Sequence, residues 1–336
     1  MAITARDVAT EAGVSVSTVS RALARPDLVS GPTRARVEAV AHRLNYEPNS
    51  VARGLSTGRT YHLGLLVPDL ENPFFASVAK AVQSQARRLG YSVFIADTDE
   101  DATLETSLIH QLAPQVDGII VASPRSPDDQ VRQWIKAVPL VLLNRLVTGL
   151  GAVTLDNADG VVQAVRHLWA LGHRTIAYAG GPKASWSDGQ RRSAFVAAVD
   201  SIDGLTGIDL GYFQPFHQGG TVAADLALAT QATAVLAYND LVALGILERF
   251  TLRGVSVPGD ISVIGTDNIT TTTLVRPALT TVAIPFRRLG QTGLEILLSS
   301  DPSQVEVLPV ELIVRASTGE APSGLNSATV RTSRTP

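Results

Sequence analysis

The chain has 336 residues, 45% of them hydrophobic, which predicts two or three domains with a sizeable core. It contains no cysteine, which excludes disulfides and cysteine-based metal sites, and we expect neither a membrane span nor a secretory signal, as in a cytoplasmic protein. The net charge of −3 is unevenly distributed along the chain. Residues 1–60 carry eight arginines and five acidic residues, a net charge of +3, which leaves −6 for the rest of the chain. Such a basic segment indicates a polyanionic partner.

The N-terminal segment, residues 4–45, is predicted to form three short helices. Thr4 can cap the first helix, and Asp7 three residues later completes a loose capping box. Gly13 then supplies a tight turn, and Ser15 offers an N-cap for the second helix. A glycine turn within a three-helix apolar pattern is the sequence form of a helix-turn-helix, whose second helix enters the major groove of DNA. A small helical bundle that binds no nucleic acid has the same spacing and is the alternative.

The second of these helices begins with side chains that can read DNA. Arg21 can donate two hydrogen bonds to O6 and N7 of guanine, and a methyl group of Val16 can contact the methyl group of thymine, with Ser17 exposed beside it. Hydroxyl and amide side chains nearby suit phosphate oxygens. The residues predicted to contact DNA in and around this helix are Thr4, Ser15, Val16, Ser17, Thr18, Ser20, Arg21 and Asn49.

Residues 49–60 are predicted to be a short, weakly amphipathic segment followed by a linker. Eight residues cannot sustain a helix alone, because helix nucleation is costly. Val51, Ala52 and Leu55 have the i, i+1, i+4 spacing that would give two copies of this segment a shared apolar seam. A linker in which Leu55 packs on its own domain is the alternative.

From Tyr61 onward, apolar runs of strand length alternate with amphipathic stretches of helix length. This alternation predicts an α/β fold of parallel sheets with helices on both faces, and continuous apolar runs are typical of buried parallel strands. About ten strands would make one very wide sheet, so residues 61–318 are predicted to form two doubly wound parallel-sheet lobes. The polar residues 319–336 are predicted to be a disordered tail.

A ligand site is predicted beyond the carboxyl ends of the strands, where open parallel sheets bind their ligands. Polar and aromatic side chains at these positions suit a sugar or a similar polyol. The alternative for each Asp or Asn is a helix N-cap, which we favour for Asp240 and Asn268, and the alternative for the aromatic pair is core packing, with only one ring expected to contact a ligand. The candidates that follow the apolar runs are Phe74, Phe75, Ser123, Asn144, Arg191, Asn239 and Asp267.

Several segments, in this order, closely resemble the LacI/GalR (lac-repressor-like) family of transcription factors, and the resemblance covers residues 3 to about 318. Motifs of this length in this order favour the helix-turn-helix over the bundle that binds no DNA. The segments are ITARDVA at 3–9, AGVSVSTVSRAL at 12–23, YEPNSVARGL at 46–55, GLLVPD at 64–69, NPFF at 72–75, ND at 239–240 and PALTTV at 277–282.

The resemblance implies a repressor that binds a near-palindromic operator in double-stranded DNA as a homodimer. It implies a helix-turn-helix head at residues 1–48, a hinge at 49–60 and an effector-binding and dimerisation body at 61–318. In the family, the hinge becomes helical only when two subunits meet on DNA, and the residue matching Leu55 wedges into a minor-groove base step. Ala24-Arg25 stands where the family usually has Asn-Gly, so the DNA contacts near this turn are open.

The resemblance also assigns effector contacts to Arg191, Asn239 and Asp267 and implies that closure of the lobes changes the affinity for DNA. A sugar is the expected effector, and a nucleobase or another small metabolite acting as a co-repressor is the alternative. The resemblance implies three chain crossings between the lobes, near Asp159, Pro285 and Arg315.

Three departures from the family affect the ligand prediction. Asn144 stands where relatives often carry Asp, and the apolar Ile284 stands where a Gln often reaches the ligand. The stretch 199–220 is shorter than usual, so its aromatic contribution to the site is either Phe213 or Phe216, of which we prefer Phe216.

A sugar receptor without DNA activity and an enzyme are the competing classes. A receptor of this fold would carry a secretory signal and would lack residues 3–55. No GxGxxG, GxxxxGK[ST], GxSxG or HExxH motif indicates an enzyme, and Asp128-Asp129 is more readily a helix start than a metal site. We therefore expect no catalytic residue, metal or cofactor, and a dimer rather than a tetramer, because we find no heptad-like segment near the C-terminus.

Overall fold

The computed structural model describes residues 3–24, 28–46 and 59–322. The first part of the structure is a head of three helices, α1 (Ala5–Ala12), α2 (Val16–Ala24) and α3 (Gly31–Arg43). These helices share a small apolar core around Val8, Val19 and Val37, one residue from each helix. The three helices predicted from the sequence are therefore present.

Local interactions fix the ends of the head helices. The backbone N–H of Thr4 donates a hydrogen bond of 2.8 Å to the Asp7 carboxylate at the start of α1. Gly13 ends α1 with a φ of 63°, a left-handed conformation that glycine adopts without a steric penalty. The hydroxyl of Ser15 accepts a hydrogen bond of 3.1 Å from the backbone N–H of Thr18 and so caps α2.

The body alternates strands and helices, several of which begin at a capping side chain such as Asn72, Asp101 or Ser185. No helix in the described ranges combines the length and apolarity required to cross a bilayer. In chain order the elements are β1 (His62–Val67), α4 (Pro73–Arg88), β2 (Ser92–Asp97), α5 (Ala102–Leu112), β3 (Ile119–Ala122), α6 (Asp128–Trp134), β4 (Leu140–Leu143), β5 (Gly151–Leu155), α7 (Asn157–Ala170), β6 (Thr175–Gly180), α8 (Trp186–Asp200), β7 (Thr206–Tyr212), α9 (His217–Leu228), β8 (Ala234–Ala237), α10 (Asp240–Leu252), β9 (Ser262–Asp267), β10 (Thr280–Ala283), α11 (Phe286–Leu298), β11 (Val305–Leu308) and β12 (Glu311–Ile313), with short 3-10 helices at Ala113–Gln115 and Thr270–Thr273.

The strands form two six-stranded sheets, one in each lobe. The first sheet has the order β11-β5-β4-β3-β1-β2 and the second the order β12-β10-β9-β8-β6-β7. The described strands pair in parallel, apart from β12, which runs antiparallel to β10. Central strands such as β3 and β8 are buried along their whole length, which accounts for their continuous apolar sequences. The predicted pair of doubly wound lobes is confirmed, with one antiparallel edge strand.

The chain crosses between the lobes at three places. The first crossing is at Asp156, between β5 and α7, and the second is at Ile284-Pro285, between β10 and α11. The third is at Pro309-Val310, between β11 and β12, and not near Arg315 as expected. The expectation missed the short strand β12, beyond which the guanidinium of Arg315 donates a hydrogen bond of 2.7 Å to the carbonyl of Leu279 in the second lobe.

The predicted disordered tail begins too early in the sequence. The backbone N–H of Ala321 donates a hydrogen bond of 2.8 Å to the carbonyl of Leu171. The backbone N–H of Gly319 donates to the hydroxyl of Ser262, and the carbonyl of Gly319 is 3.2 Å from Nε2 of the buried His173. Residues 319–322 therefore belong to the second lobe, and residues 323–336 lie outside the described ranges.

Candidate functional site

The α2 helix presents one exposed face, formed by Val16, Ser17, Ser20 and Arg21, which we call the outer face of α2. The i, i+1, i+4, i+5 spacing places these side chains together, while Val19 faces the core of the head. Val16 is 45% exposed although it is apolar. This face therefore offers one cation, two hydroxyls and one methyl-bearing side chain to a partner.

Two of the predicted DNA-contact residues have structural roles in the head. The hydroxyl of Ser15 is within 2.8 Å of the hydroxyls of Ser17 and the half-buried Thr18, in addition to capping α2. The hydroxyl of Thr4 donates a hydrogen bond of 2.7 Å to the Asp7 carboxylate. These contacts orient the hydroxyls at the start of the helix. Arg25, Asn49 and Leu55 lie outside the described residues, so their proposed roles stay predictions.

A cleft lies between the two lobes at the carboxyl ends of the strands, and we call it the interlobe cleft. The first lobe contributes the segments that follow β1, β2, β3 and β4, and the second contributes α8, the segment before α9 and the segments that follow β8 and β9. Seven of the eight residues predicted to bind an effector line it, and Phe216 does not. The lining residues are Asn72, Phe74, Phe75, Glu100, Ser123, Arg125, Asn144, Arg191, Pro215, Tyr238, Asn239 and Asp267.

Arg191 is held in the cleft by partners from two elements. Its Nε donates a hydrogen bond of 2.9 Å to Oδ1 of Asn157, and its Nη1 donates one of 2.6 Å to the carbonyl of Tyr238. The guanidinium also lies 5.3 Å from the centroid of the Tyr238 ring, a cation–π distance. Asn157 was absent from the sequence-based candidates, although it follows the end of β5 by two residues.

Asp267 brings a buried carboxylate to the same side of the cleft. It is 5% exposed. Burial raises the pKa of Asp267 well above its ordinary value, and the charge of Asp240 raises it further, while Arg191 opposes the shift. A carboxyl group that lines the cleft can form hydrogen bonds with a hydroxyl-bearing ligand.

The side-chain oxygen of Asn144 is an acceptor without a partner in the cleft. Its side-chain N–H donates a hydrogen bond of 3.0 Å to the hydroxyl of Ser123, but its buried Oδ1 has no partner. Both residues have positive φ angles, 54° for Asn144 and 44° for Ser123, which costs backbone energy and is frequent at functional sites. An unsatisfied buried acceptor is costly, so Oδ1 is a natural position for a ligand donor.

The cleft also contains an ion pair whose residues were not among the sequence-based candidates. The guanidinium of Arg125 donates hydrogen bonds of 2.7 and 2.8 Å to the two carboxylate oxygens of Glu100. Glu100 lies beyond the carboxyl end of β2, and Arg125 follows β3 two residues after Ser123. The rule that located Ser123 could have found both residues, since it applies to every strand of a parallel sheet.

The aromatic contributions differ from the prediction. Phe74 and Phe75 both line the cleft and both belong to the core of the first lobe, with their rings 4.8 Å apart in an edge-to-face arrangement. That only one of them contacts a ligand stays a prediction. Phe216 lies in a neighbouring groove, and Pro215 takes the position in the cleft because its carbonyl accepts a hydrogen bond of 2.9 Å from Asn239. Ile284 is buried in the core of the first lobe, so it adds no polar group to the cleft.

The N-cap predictions for Asp240 and Asn268, which follow β8 and β9, are wrong. Asn239 is the N-cap of α10, since its Oδ1 accepts a hydrogen bond of 2.9 Å from Val242, and it lines the cleft as well. Asp240 does not cap this helix, because its carboxylate accepts hydrogen bonds from the backbone of Ile269 and from a threonine hydroxyl. Asn268 binds Arg315 through its Oδ1 and caps no helix.

Asp128 and Asp129, the two acidic residues discussed above as a metal site or a helix start, lie at the start of α6. The carboxylate of Asp128 accepts a hydrogen bond of 2.6 Å from Arg145 and lies 3.7 Å from Arg132. Asp128 is the first residue of α6, as the sequence predicted. Within the described ranges, no group of three or more His, Cys, Asp or Glu side chains is placed to hold a metal ion.

Comparisons with known proteins match both parts of the chain. Residues 4–49 match the family described as bacterial regulatory proteins, lacI family, and residues 165–318 match the periplasmic binding protein-like domain. The HTH-type transcriptional regulator DegA of Bacillus subtilis is 32% identical over 334 residues, which cover 95% of this chain and 98% of DegA.

Solved structures of similar proteins cover the same regions. The lac repressor dimer bound to operator and the anti-inducer ONPF has a TM-score of 0.85 and 31% identity, covering 95% of this chain and 100% of that one. A LacI family transcriptional regulator from Enterococcus faecium with bound ribose has a TM-score of 0.69 and 31% identity, covering 77% of this chain and 99% of that one.

Proposed function

Because the chain belongs to the LacI family of bacterial transcriptional regulators, we propose that it represses transcription as a dimer on a near-palindromic operator and that a sugar bound in the interlobe cleft controls it. Its relatives are regulators rather than enzymes, with a DNA-binding domain and an effector-binding domain. We also propose that the protein acts in the cytoplasm, where the DNA that it binds would be located.

One observation carries the effector proposal. Arg191, Asn239 and Asp267 of the second lobe face Ser123 and Asn144 of the first across a single cleft. Together with the three aromatic rings of the lining, this set combines amide, hydroxyl, carboxyl and guanidinium groups, which suits the hydroxyls and C–H surfaces of a sugar. The unused acceptor Oδ1 of Asn144 favours a ligand that donates hydrogen bonds.

The geometry of the cleft supports control by closure of the lobes. The cleft holds about 20 Å³ of free volume, which is room for about one water molecule. A sugar therefore requires the lobes to move apart about the crossings at Asp156, Ile284-Pro285 and Pro309-Val310. A ligand that binds one arrangement of the lobes more tightly shifts the population towards it, and DNA affinity changes by the same coupling energy.

The DNA proposal rests on the outer face of α2. Its exposed Arg21 and Val16 have the chemistry to read guanine and thymine in the major groove, with Ser17 and Ser20 available for phosphates. A dimer would present two such faces to the half-sites of a symmetric operator. The lac repressor neighbour was solved as a dimer bound to operator, which supports the same arrangement here.

The test begins with the full chain and a pool of random DNA duplexes. We expect repeated selection to enrich a near-palindrome, and sedimentation to show a dimer. A thermal-shift screen of sugars, nucleosides and nucleobases would then identify stabilising compounds, whose effect on operator affinity would be measured at constant salt concentration. A stabilising sugar that leaves operator affinity unchanged would contradict control by the cleft. A strictly monomeric protein that binds a symmetric site tightly would contradict the dimer.

A further inference from the structure

The ion pair between Glu100 and Arg125 lies within the interlobe cleft and not on the surface. Arg125 has 4% of its side chain exposed and Glu100 has 16%. The two hydrogen bonds between them are bidentate, the geometry in which a guanidinium binds a carboxylate or a phosphate best. Glu100 therefore occupies the edge of Arg125 that an anionic ligand would use.

The surrounding backbone holds both members of the pair in place. Glu100 has a φ of 57°, and its backbone N–H donates a hydrogen bond of 2.7 Å to the carbonyl of Pro68. The backbone N–H of Arg125 donates one of 2.6 Å to the buried carboxylate of Glu105, and its Nη1 donates to the carbonyl of Ser123. The pair is thus preorganised by the loops after β2 and β3, so releasing Glu100 from it would cost energy.

The two cations of the cleft are held by different partners. Arg125 is paired with Glu100, and Arg191 faces Asp267 while it donates hydrogen bonds to Asn157 and Tyr238. Burial disfavours the charge of Arg125, but Tyr238 and the carboxylates of Glu100 and Glu105 hold the pKa of Arg125 above its ordinary value, so it remains a cation. Oδ1 of Asn144, which is buried without a partner, is an uncharged acceptor available to a ligand.

We infer that Glu100 makes the interlobe cleft selective for uncharged, hydroxyl-bearing effectors, because it occupies the guanidinium of Arg125 that would otherwise bind a phosphate or carboxylate group. This inference rests on the proposed function, since it specifies the effector class of the same cleft. An anionic effector would bring its charge next to the Glu100 carboxylate in a site with little water, where like charges repel strongly. The neutral parent sugar meets no such repulsion.

The first test compares neutral compounds with their anionic derivatives on the full chain in phosphate-free buffer. The pairs are ribose and ribose 5-phosphate, glucose and glucose 6-phosphate, glucose and gluconate, and cytidine and cytidine 5′-monophosphate. By titration calorimetry we expect any parent that binds to bind about tenfold or more tightly than its anion. An anion that binds as tightly as its parent would overturn the inference. If no compound of either kind binds, the proposed sugar control itself is overturned.

The second test assigns the selectivity to Glu100. Glu100→Gln keeps the shape of the side chain but removes the charge, so we expect the ratio of anion Kd to parent Kd to fall by about tenfold through tighter binding of the anion. Glu71→Gln is the matched control, because Glu71 is exposed in the same lobe and does not line the cleft. The double variant Glu100→Gln/Arg125→Gln should lose the gained anion affinity. An unchanged ratio in Glu100→Gln would overturn the role of Glu100, and the comparison of pairs on the parent chain needs no variant to fold.

Discussion

Nε of Arg191 donates a hydrogen bond of 2.9 Å to Oδ1 of Asn157, which joins a cation of the interlobe cleft to the residue that directly follows the first chain crossing at Asp156. Both side chains are buried, so water does not compete for the bond. A ligand that contacts Arg191 would therefore act next to the first chain crossing. This contact is a direct physical connection between the cleft and that crossing.

We predict that Asn157→Ala weakens effector binding by about 1.5–3 kcal/mol, on the order of ten- to a hundredfold, because Arg191 loses a partner that orients it. Titration calorimetry with a sugar from the thermal-shift screen would measure this loss. Asn157→Asp keeps an acceptor at the same position and should retain most of the affinity. Wild-type affinity in Asn157→Ala would show that the contact with the crossing does not position Arg191.

The outer face of α2 gives a prediction for DNA recognition. We expect Arg21→Ala to weaken binding to the selected operator by about 1–3 kcal/mol, because the two hydrogen bonds to guanine are lost. Binding to a scrambled duplex should fall less, and the preference for one base pair in each half-site should relax. Fluorescence anisotropy at one salt concentration would measure both affinities.

The control for this experiment is Arg166→Ala, which removes an exposed arginine from α7 in the second lobe, away from the head. It lowers the net charge by the same amount, so it tests whether charge alone accounts for the effect. If Arg21→Ala and Arg166→Ala bind the operator equally well, Arg21 does not contact the bases.

The hinge prediction concerns residues 49–60, which lie mostly outside the described ranges. If the segment becomes helical only on DNA, Ala52→Gly should raise the cost of forming each helix by about 1 kcal/mol, or about 2 kcal/mol for a dimer. Operator affinity would then fall by a factor of about thirty, with little change in binding to random duplexes. Thr57→Gly, in the predicted linker, is the control. An unchanged operator affinity in Ala52→Gly would count against a coupled hinge.

Much of the cleft could be predicted because parallel strands end at one edge of a sheet. That rule placed Ser123 and Asn144 correctly beside each other from two apolar runs, and the resemblance to the family added Arg191 and Asp267. Periodicity alone also indicated the three helices of the head and the two sheets of the body. These features depend on local sequence and on topology, which the chain carries in its pattern of apolar residues.

The rest depended on contacts between residues distant in sequence. Glu100 and Arg125 are 25 residues apart, and their pairing requires a left-handed backbone at Glu100 that its sequence does not indicate. Pro215 replaced Phe216 in the cleft because Asn239 binds its carbonyl from another strand end. The strand β12 has only three residues, which is too short to be recognised from the sequence, so the third crossing was placed several residues too late. Short elements and loop paths are fixed by tertiary contacts, which no local pattern reports.

The buried carboxyls of Asp240 and Asp267 predict a particular dependence of stability on pH. Burial raises the pKa of Asp240 to about 7, partly offset by hydrogen bonds from Thr281 and Ile269, and burial together with Asp240 raises the pKa of Asp267 well above its ordinary value. In the unfolded chain both carboxyls have a pKa of about 3.9. Between that pH and the folded-state pKa, the folded protein therefore binds more protons than the unfolded protein does.

The sign follows from proton linkage. The contribution of these carboxyls to stability is complete below about pH 4 and is lost as the pH rises through the folded-state pKa, at up to about 1.4 kcal/mol per pH unit for each extra proton bound. Asp240→Asn removes one titrating group and can keep both hydrogen bonds, with its oxygen accepting from Ile269 and its amide donating to the Thr281 hydroxyl. Denaturant unfolding from pH 5 to pH 8 should therefore show a shallower loss of stability in the variant.

Subtracting the two curves of stability against pH cancels groups shared by both proteins, such as His173, whose pKa is lowered by burial. Parallel curves would mean that Asp240 carries its charge throughout this range.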